Sequence, residues 1–70
     1  MIQIPVSSSN LKSVGYQLSA QTLEIEFNSE GIYQYFNVPE SVYQGLMTAV
    51  SHGSYFHQFI KDTYPYKRVG

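Results

Sequence analysis

Alternating hydrophobic and polar residues predict three β-strands in the first half of the chain. The clearest is 22–27, where Leu23, Ile25 and Phe27 alternate with polar side chains, as in a strand with one buried face. The three predicted strands span residues 11–18, 22–27 and 32–38. Because only short turns separate them, we expect a three-stranded antiparallel meander.

Residues 28–31, Asn-Ser-Glu-Gly, favour a type I turn in which Gly31 adopts the left-handed conformation and forms a bulge. This turn sets the pairing of the next strand, and it places Tyr33 and Tyr35 on the same face as the apolar residues of 22–27. The predicted pairs are Phe27 with Tyr33, Ile25 with Tyr35, Glu26 with Gln34 and Glu24 with Phe36.

Residues 39–50 predict an amphipathic helix. Val42, Leu46 and Val50 recur every four residues on one face. Gly45 weakens this helix by about 1 kcal/mol relative to alanine.

A shorter helix follows a break at residues 51–54. Phe56, Phe59 and Ile60 give it one apolar face, and it should end near Asp62. The remaining extended segments are a lead-in, residues 1–7, and a tail, residues 63–70, which could add a strand at the sheet edge.

Together these elements predict a single α+β domain, residues 1–70, with a three-stranded antiparallel meander followed by two helices packed on one face. The helices should cover the apolar face, since Glu24 and Glu26 occupy the other. Tyr33 and Tyr35 would then be core residues with polar tips, and a solvent-facing stacking platform is the alternative. The predicted core comprises Leu23, Ile25, Phe27, Tyr33, Tyr35, Val42, Leu46, Phe56 and Ile60.

Composition narrows the class of protein. Seven tyrosines and four phenylalanines can fill a small core. The chain has no cysteine, so no disulfide can stabilise the fold. The net charge of −1 argues against a dedicated nucleic-acid-binding domain. The first residues lack a signal-peptide pattern, and no stretch is apolar over the ~18 residues that a membrane span requires. We therefore expect a cytoplasmic protein with no membrane partner.

No residue pattern indicates catalysis, a cofactor or a metal. His52 and His57 lie five residues apart without a third ligand at a supporting interval. No serine lies in a nucleophile elbow, and Glu24 and Glu26 would lie on an exposed face rather than in a cleft. We therefore expect no enzymatic activity.

The C-terminal stretch carries the clearest binding pattern. Lys61, Lys67 and Arg68 interleave with Tyr64 and Tyr66, the mixture of cations and aromatic rings used on single-stranded nucleic acid. The alternative is a final strand or tail that packs its tyrosines and solvates its charges.

The predicted register also leaves Ile32 and Phe36 together on the glutamate face of the sheet. This small apolar spot could meet a protein partner, a second copy of the chain or the N-terminal segment. Isolated exposed apolar residues are common, so the spot could equally have no role.

In order and spacing, these features resemble the KTSC domain, a small module named for the C-terminus of some lysyl-tRNA synthetases and also found as a stand-alone bacterial protein. The resemblance covers nearly the whole chain, in the segments SSNLKSVGY (8–16), TLEIEF (22–27), GIYQYFNVP (31–39), VYQGLMTAVSHGSYF (42–56) and FIKDTYPYKRV (59–69).

The resemblance implies no established activity, and the synthetase context implies RNA binding at the matching positions Tyr33, Tyr35, Ser51 and Gly53. Where the family pattern tends to read A-P-S-K-G, this chain reads AVSHG at 49–53, which replaces a permanent cation with a titratable histidine. Gln17 stands where an aspartate is common.

Two hypotheses about function follow. The first is a non-catalytic RNA-binding or RNA-associated module, with candidate residues Ser51, His52, Gly53, Lys61, Tyr64, Tyr66, Lys67 and Arg68. The second is a protein-interaction module, or a small phage-type accessory protein, that uses Ile32 and Phe36.

Overall fold

The computed structural model, which describes residues 1–70, contains one antiparallel sheet with its strands in chain order. The strands are β1 (Ile4–Pro5), β2 (Leu11–Gln17), β3 (Thr22–Phe27), β4 (Gly31–Tyr35) and β5 (Tyr66–Arg68). The helices are α1 (Glu40–Thr48) and α2 (His52–Tyr55), and α2 continues into a π-helical turn, Phe56–Ile60. The α+β class is confirmed, but the sheet has five strands rather than the predicted three. None of the helices has the length and apolar character needed to cross a membrane.

The two additional strands form the edges of the sheet. β1 has two residues and pairs Ile4 with Val14, whereas β5 has three and pairs Tyr66 with Tyr35. Pro5 is tolerated in β1 because an edge strand can do without a donor on its outer side. Segments this short show no alternation, so the hydrophobic pattern assigned them to an extended lead-in and to a tail that could add a strand at the sheet edge. β5 confirms the added edge strand of the tail, whereas β1 was not predicted.

The turn between β3 and β4 has the predicted glycine but a different register. Gly31 has φ +95°, yet it pairs with Phe27 and belongs to β4, so the loop is residues 28–30. The observed pairs are Phe27 with Gly31, Glu26 with Ile32, Ile25 with Tyr33, Glu24 with Gln34 and Leu23 with Tyr35. The predicted pairs are therefore wrong by two positions. A shift of two leaves every side chain on its predicted face.

α1 is shorter than the predicted 39–50. The Pro39 carbonyl accepts the first helical hydrogen bond, from the Val42 amide at 3.0 Å, and the helix ends at Thr48. Leu46 is buried and Val42 half-buried against the core. Val50 lies beyond the helix and is fully exposed, so its assignment to the packed face was wrong.

α2 begins at His52, inside the segment predicted as a break, and leads directly into the π-helical turn. The Lys61 amide donates to the Phe56 carbonyl at 2.8 Å, the i→i+5 bond that defines this turn. The widened turn keeps Phe56 and Ile60 in the core. Phe59, predicted on the same face, is 46% exposed.

The core lies between the helices and one face of the sheet. Seven of the nine predicted core residues are buried, and Tyr33 and Val42 are half-buried and pack against them. Leu11 and Val14 join this core despite their odd spacing, because a bulge at Lys12 restores both to the same face. The buried hydrophobic residues are Leu11, Val14, Leu23, Ile25, Phe27, Tyr35, Val38, Leu46, Phe56 and Ile60.

The Tyr16 side chain links the loop after β4 to the sheet through a hydrogen bond. Its ring stacks on Tyr43 of α1 with centroids 4.7 Å apart, and its hydroxyl donates to the Val38 carbonyl at 2.6 Å. Desolvation, with the nearby Glu40 carboxylate, raises the pKa of Tyr16. The hydroxyl therefore stays protonated and keeps its hydrogen bond at neutral pH.

The other face of the sheet carries a network of polar side chains bonded to one another. Gln3 Nε2 donates to Glu24 Oε2 at 2.6 Å, and Gln34 Nε2 donates to Glu24 Oε1 at 2.8 Å. Ser13 Oγ donates to Gln3 Oε1 at 3.0 Å. These bonds attach the N-terminal segment to β2, β3 and β4.

Candidate functional site

A cleft of about 190 Å³ opens where the π-helical turn meets β4 and β5. Its aromatic lining residues are Phe27, Tyr33, Tyr35, Phe56 and Tyr66. Its polar lining residues are Asn10, Glu30, His57, Lys61 and Asp62. We call these ten residues the aromatic cleft.

The aromatic rings give the cleft a buried floor and an exposed lip. Tyr35, at the floor, is 5% exposed and meets Phe56 edge to face with centroids 5.5 Å apart. Tyr66, on β5, is 60% exposed, and its ring lies 5.7 Å from Tyr35 and 5.8 Å from Tyr33. The exposed side of Tyr66 is therefore free to contact a ligand while its other side is packed.

The Tyr35 hydroxyl has no hydrogen-bond partner within the chain. Desolvation by burial raises the pKa of Tyr35 to about 12, and the neighbouring phenols and the carboxylates of Glu30 and Asp62 add to the shift. The phenol is thus protonated at neutral pH and can donate a hydrogen bond to a ligand in the cleft.

The polar side chains that line the cleft likewise have no partners within the chain. No side chain of Asn10, Glu30, His57, Lys61 or Asp62 takes part in a hydrogen bond or an ion pair within the chain. On the opposite face of the sheet, by contrast, the polar side chains bond to each other. The cleft therefore presents donors and acceptors that the fold itself does not use.

A second depression adjoins the cleft at the start of α2. It is a broad, open basin lined by polar residues alone, and it shares Asn10 and His57 with the cleft. Ser51 lies at its edge as the N-cap of α2, because its Oγ accepts from the Ser54 amide at 3.2 Å. The further lining residues are Ser9, Gly53, Ser54 and Gln58.

The structure places the residues of the RNA hypothesis in different surroundings. Lys61 and Tyr66 line the aromatic cleft, and Ser51 and Gly53 line the basin. Tyr64, in contrast, is half-buried against the core.

Of the other three cationic or titratable candidates, Lys67 and His52 lie away from the cleft. Arg68 does not line the cleft, but it pairs with Tyr33 on the same face of the sheet as Tyr66 and so lies beside it. Lys67 pairs with Gln34, so alternation along β5 puts it on the glutamate face of the sheet. Arg68 Nε donates to the Gly70 carbonyl at 2.9 Å, and His52 Nδ1 lies 2.7 Å from the Leu46 carbonyl near the end of α1. The predicted basic cluster is thus dispersed over the surface.

The apolar spot of the interaction hypothesis is partly covered. Ile32 is half-buried, and its carbonyl accepts from the amides of Val69 and Gly70 at 2.8 and 3.2 Å. Phe36 is half-buried as well, and its amide donates to the Pro65 carbonyl at 2.9 Å. The C-terminal tail, rather than the N-terminal segment, therefore runs along this part of β4.

Sequence reasoning missed four residues of the cleft: Asn10, Glu30, His57 and Asp62. They come from separate loops and from the π-helical turn, and no spacing relates them. Asp62 has one local peculiarity, a left-handed φ of +64° just after the turn, which aspartate tolerates better than most residues. No group of three histidine, cysteine or acidic side chains comes together as a metal site.

Comparison with known proteins identifies relatives of two kinds. A family model described as the KTSC domain matches residues 7–64. A lysine--tRNA ligase of a Nostoc species is 44% identical over 59 residues, which make up 84% of this chain but 10% of the ligase. A protein of Stutzerimonas stutzeri, described as uncharacterized, is 41% identical over 70 residues and covers 99% of both chains.

A solved structure matches the fold over its whole length. The crystal structure of a KTSC domain protein from Yersinia pestis superposes with a TM-score of 0.97 at 42% identity, and the match covers 99% of this chain and 97% of that one. The chain thus spans about a tenth of the length of the ligase and nearly all of the stand-alone relatives.

Proposed function

The chain belongs to the KTSC domain family, and on that premise we propose that it is a non-catalytic module that binds single-stranded RNA through the aromatic cleft. The observation that carries this proposal is the exposed ring of Tyr66, which packs beside Tyr33 and Tyr35 in a cleft that Lys61 also lines. Stacking of unpaired bases on aromatic rings is the usual basis of single-stranded RNA recognition.

The distribution of charge indicates whether base stacking or phosphate contacts would supply most of the binding affinity. Lys61 is the one permanent cation that lines the cleft, whereas Lys67 lies on the opposite face of the sheet. Arg68 lies beside the cleft, opposite Tyr33, with its Nε bonded to the Gly70 carbonyl. Each phosphate contact to a single strand contributes a salt slope of about −0.7. We therefore expect a shallow salt dependence, with stacking rather than phosphate contacts supplying most of the affinity.

The ligase relatives support an RNA partner without specifying one. They are lysine--tRNA ligases, and the part of them that matches this chain is about a tenth of their length. The activity of the ligases is therefore not assigned to this chain. The paired carboxylates of β3 already bond to neighbouring side chains, which is in keeping with a binding rather than a catalytic role.

The test is fluorescence anisotropy with a labelled single-stranded RNA of mixed sequence at about 50 mM salt, where even a few phosphate contacts contribute. Tyr66→Ala should weaken binding by about 1–3 kcal/mol, the usual value of one base stacked on an aromatic ring. Tyr66→Phe should retain affinity, because the ring face is preserved.

Phe59→Ala is the matched control, since it removes a partly exposed aromatic ring outside the cleft. Thermal melts should show that the Tyr66 variants remain folded. If wild-type protein does not bind RNA, or if Tyr66→Ala binds as well as wild type, the proposal is wrong.

A further inference from the structure

The aromatic cleft contains hydrogen-bonding groups of a kind that suits base edges. Besides Lys61, its rim holds the carboxylates of Glu30 and Asp62 and the amide of Asn10. None of these side chains has a hydrogen-bond or ion-pair partner within the chain. They line the same cleft as the largely buried aromatic rings. The Tyr35 hydroxyl also has no partner within the chain; the residue is largely buried, but the hydroxyl oxygen itself remains accessible in the cleft.

The two carboxylates can only accept hydrogen bonds, and the Asn10 amide can both accept and donate. Carboxylates accept from the exocyclic amine of cytosine, and an asparagine amide can bind the N6 amine and N7 of adenine together. Uracil has no exocyclic amine, and its donor N3–H lies between two carbonyl oxygens that a carboxylate repels. From this arrangement we infer that the cleft selects RNA bases with an exocyclic amino group over uracil; the inference rests on the proposed RNA-binding function.

Charge complementarity favours the same orientation of the ligand. The lining of the cleft carries two carboxylates, Glu30 and Asp62, and one ammonium group, Lys61, so a phosphate inside it would meet more negative than positive permanent charge. A neutral base with an electropositive amine edge would be attracted. The backbone should therefore remain outside, near Lys61, while the base enters between Tyr66 and the polar rim.

The test uses three heptamers that are uridine throughout except at the central position. This position carries adenosine, its analogue lacking only the 6-amino group (purine riboside), or uridine. The number of phosphates is constant, and the first two bases present the same purine ring system for stacking. We expect the adenosine heptamer to bind at least about fivefold more tightly than either of the others, the lower limit for a well-formed base-edge contact.

Variants of the rim identify the source of the preference. Glu30→Gln combined with Asp62→Asn, and separately Asn10→Ala, should reduce the ratio between adenosine and purine riboside toward one. Asparagine at position 62 tolerates the left-handed backbone as aspartate does. Glu40→Gln is the control for the loss of a carboxylate, because it removes one negative charge at an exposed site outside the cleft.

Equal binding of the three heptamers would overturn the inference and leave the proposed RNA binding intact. A preference that survives in all the rim variants would also overturn it. Failure of every heptamer to bind would refute the RNA-binding function itself, and this selectivity with it.

Discussion

Gly45 lies in the middle of α1, and replacing it with alanine should destabilise the domain although alanine is the better helix former. In isolation the change should stabilise a helix by about 1 kcal/mol. The structure adds an opposing effect, because the Tyr55 side chain of α2 packs directly against the Gly45 backbone. The absence of a side chain at position 45 makes room for this ring.

The size of the clash follows from the distances. A Cβ atom at position 45 would lie 2.6 Å from Tyr55 Cζ and 2.9 Å from Cε2, and it would overlap the hydroxyl oxygen. Tilting the ring away would disturb its contact with Phe59, 4.6 Å between centroids, and its packing against the core. Overpacking of this kind costs about 1–3 kcal/mol. After subtraction of the helix propensity, we expect a net loss of about 1 kcal/mol.

The assay is thermal unfolding followed by circular dichroism. For a domain of this size, 1 kcal/mol corresponds to a shift in Tm of about 4–8 °C, so Gly45→Ala should lower Tm by several degrees. Gly53→Ala is the matched control in α2, since a Cβ there would meet only Asn10 atoms at 3.5 and 3.8 Å. That variant should gain about 0.4–1 kcal/mol.

A double-mutant cycle isolates the contact. In a Tyr55→Ala background the obstruction is gone, and Gly45→Ala should then be neutral or stabilising. If Gly45→Ala raises the Tm of the otherwise unchanged protein, the ring and the helix are not packed as described and the reasoning fails.

Three further predictions concern other tyrosines. Tyr35→Ala should lose about 3–5 kcal/mol and can unfold so small a domain; a soluble variant melting within a degree or two of wild type would contradict the burial of this ring. Tyr16→Phe should lose about 1–3 kcal/mol in chemical denaturation, because the Val38 carbonyl loses its donor; an unchanged midpoint would show that this bond contributes nothing. The raised pKa of Tyr35 means that the folded state holds its proton more tightly than the unfolded state, so stability should fall between pH 10 and about 12. Tyr35→Phe should flatten this part of the pH–stability curve, and a parallel curve would refute the assignment.

Much of the sheet could be predicted from its alternation of residues. Leu23, Ile25 and Phe27 are all buried, and the two tyrosines of β4 lie on their side as expected. The exact partners could not be predicted, because a glycine in the left-handed conformation can end the loop or begin the strand. The chain uses Gly31 in the second way, which preserves the faces and changes each pair.

The cleft could not be predicted for a different reason. Asn10 and Glu30 lie in loops at one end of the sheet, whereas His57 and Asp62 lie in and after the π-helical turn. Their proximity depends on where the helices pack and on the extra residue that widens this turn. Neither property leaves a periodic signal, so a sequence pattern can indicate the core but not this rim.

The edge strand β5 explains how a weakly charged domain could still bind a nucleic acid. Backbone hydrogen bonds fix the chain on both sides of Tyr66 in the sequence. Before it, the Pro65 carbonyl accepts from the Phe36 amide; after it, the Val69 amide donates to the Ile32 carbonyl. The Tyr66 ring is therefore positioned against Tyr33 and Tyr35 before any ligand arrives, and binding need not order the tail. Pre-ordering of this kind reduces the entropic cost of association. A single stacked base could thus contribute most of its interaction energy to affinity, with little help from phosphate contacts.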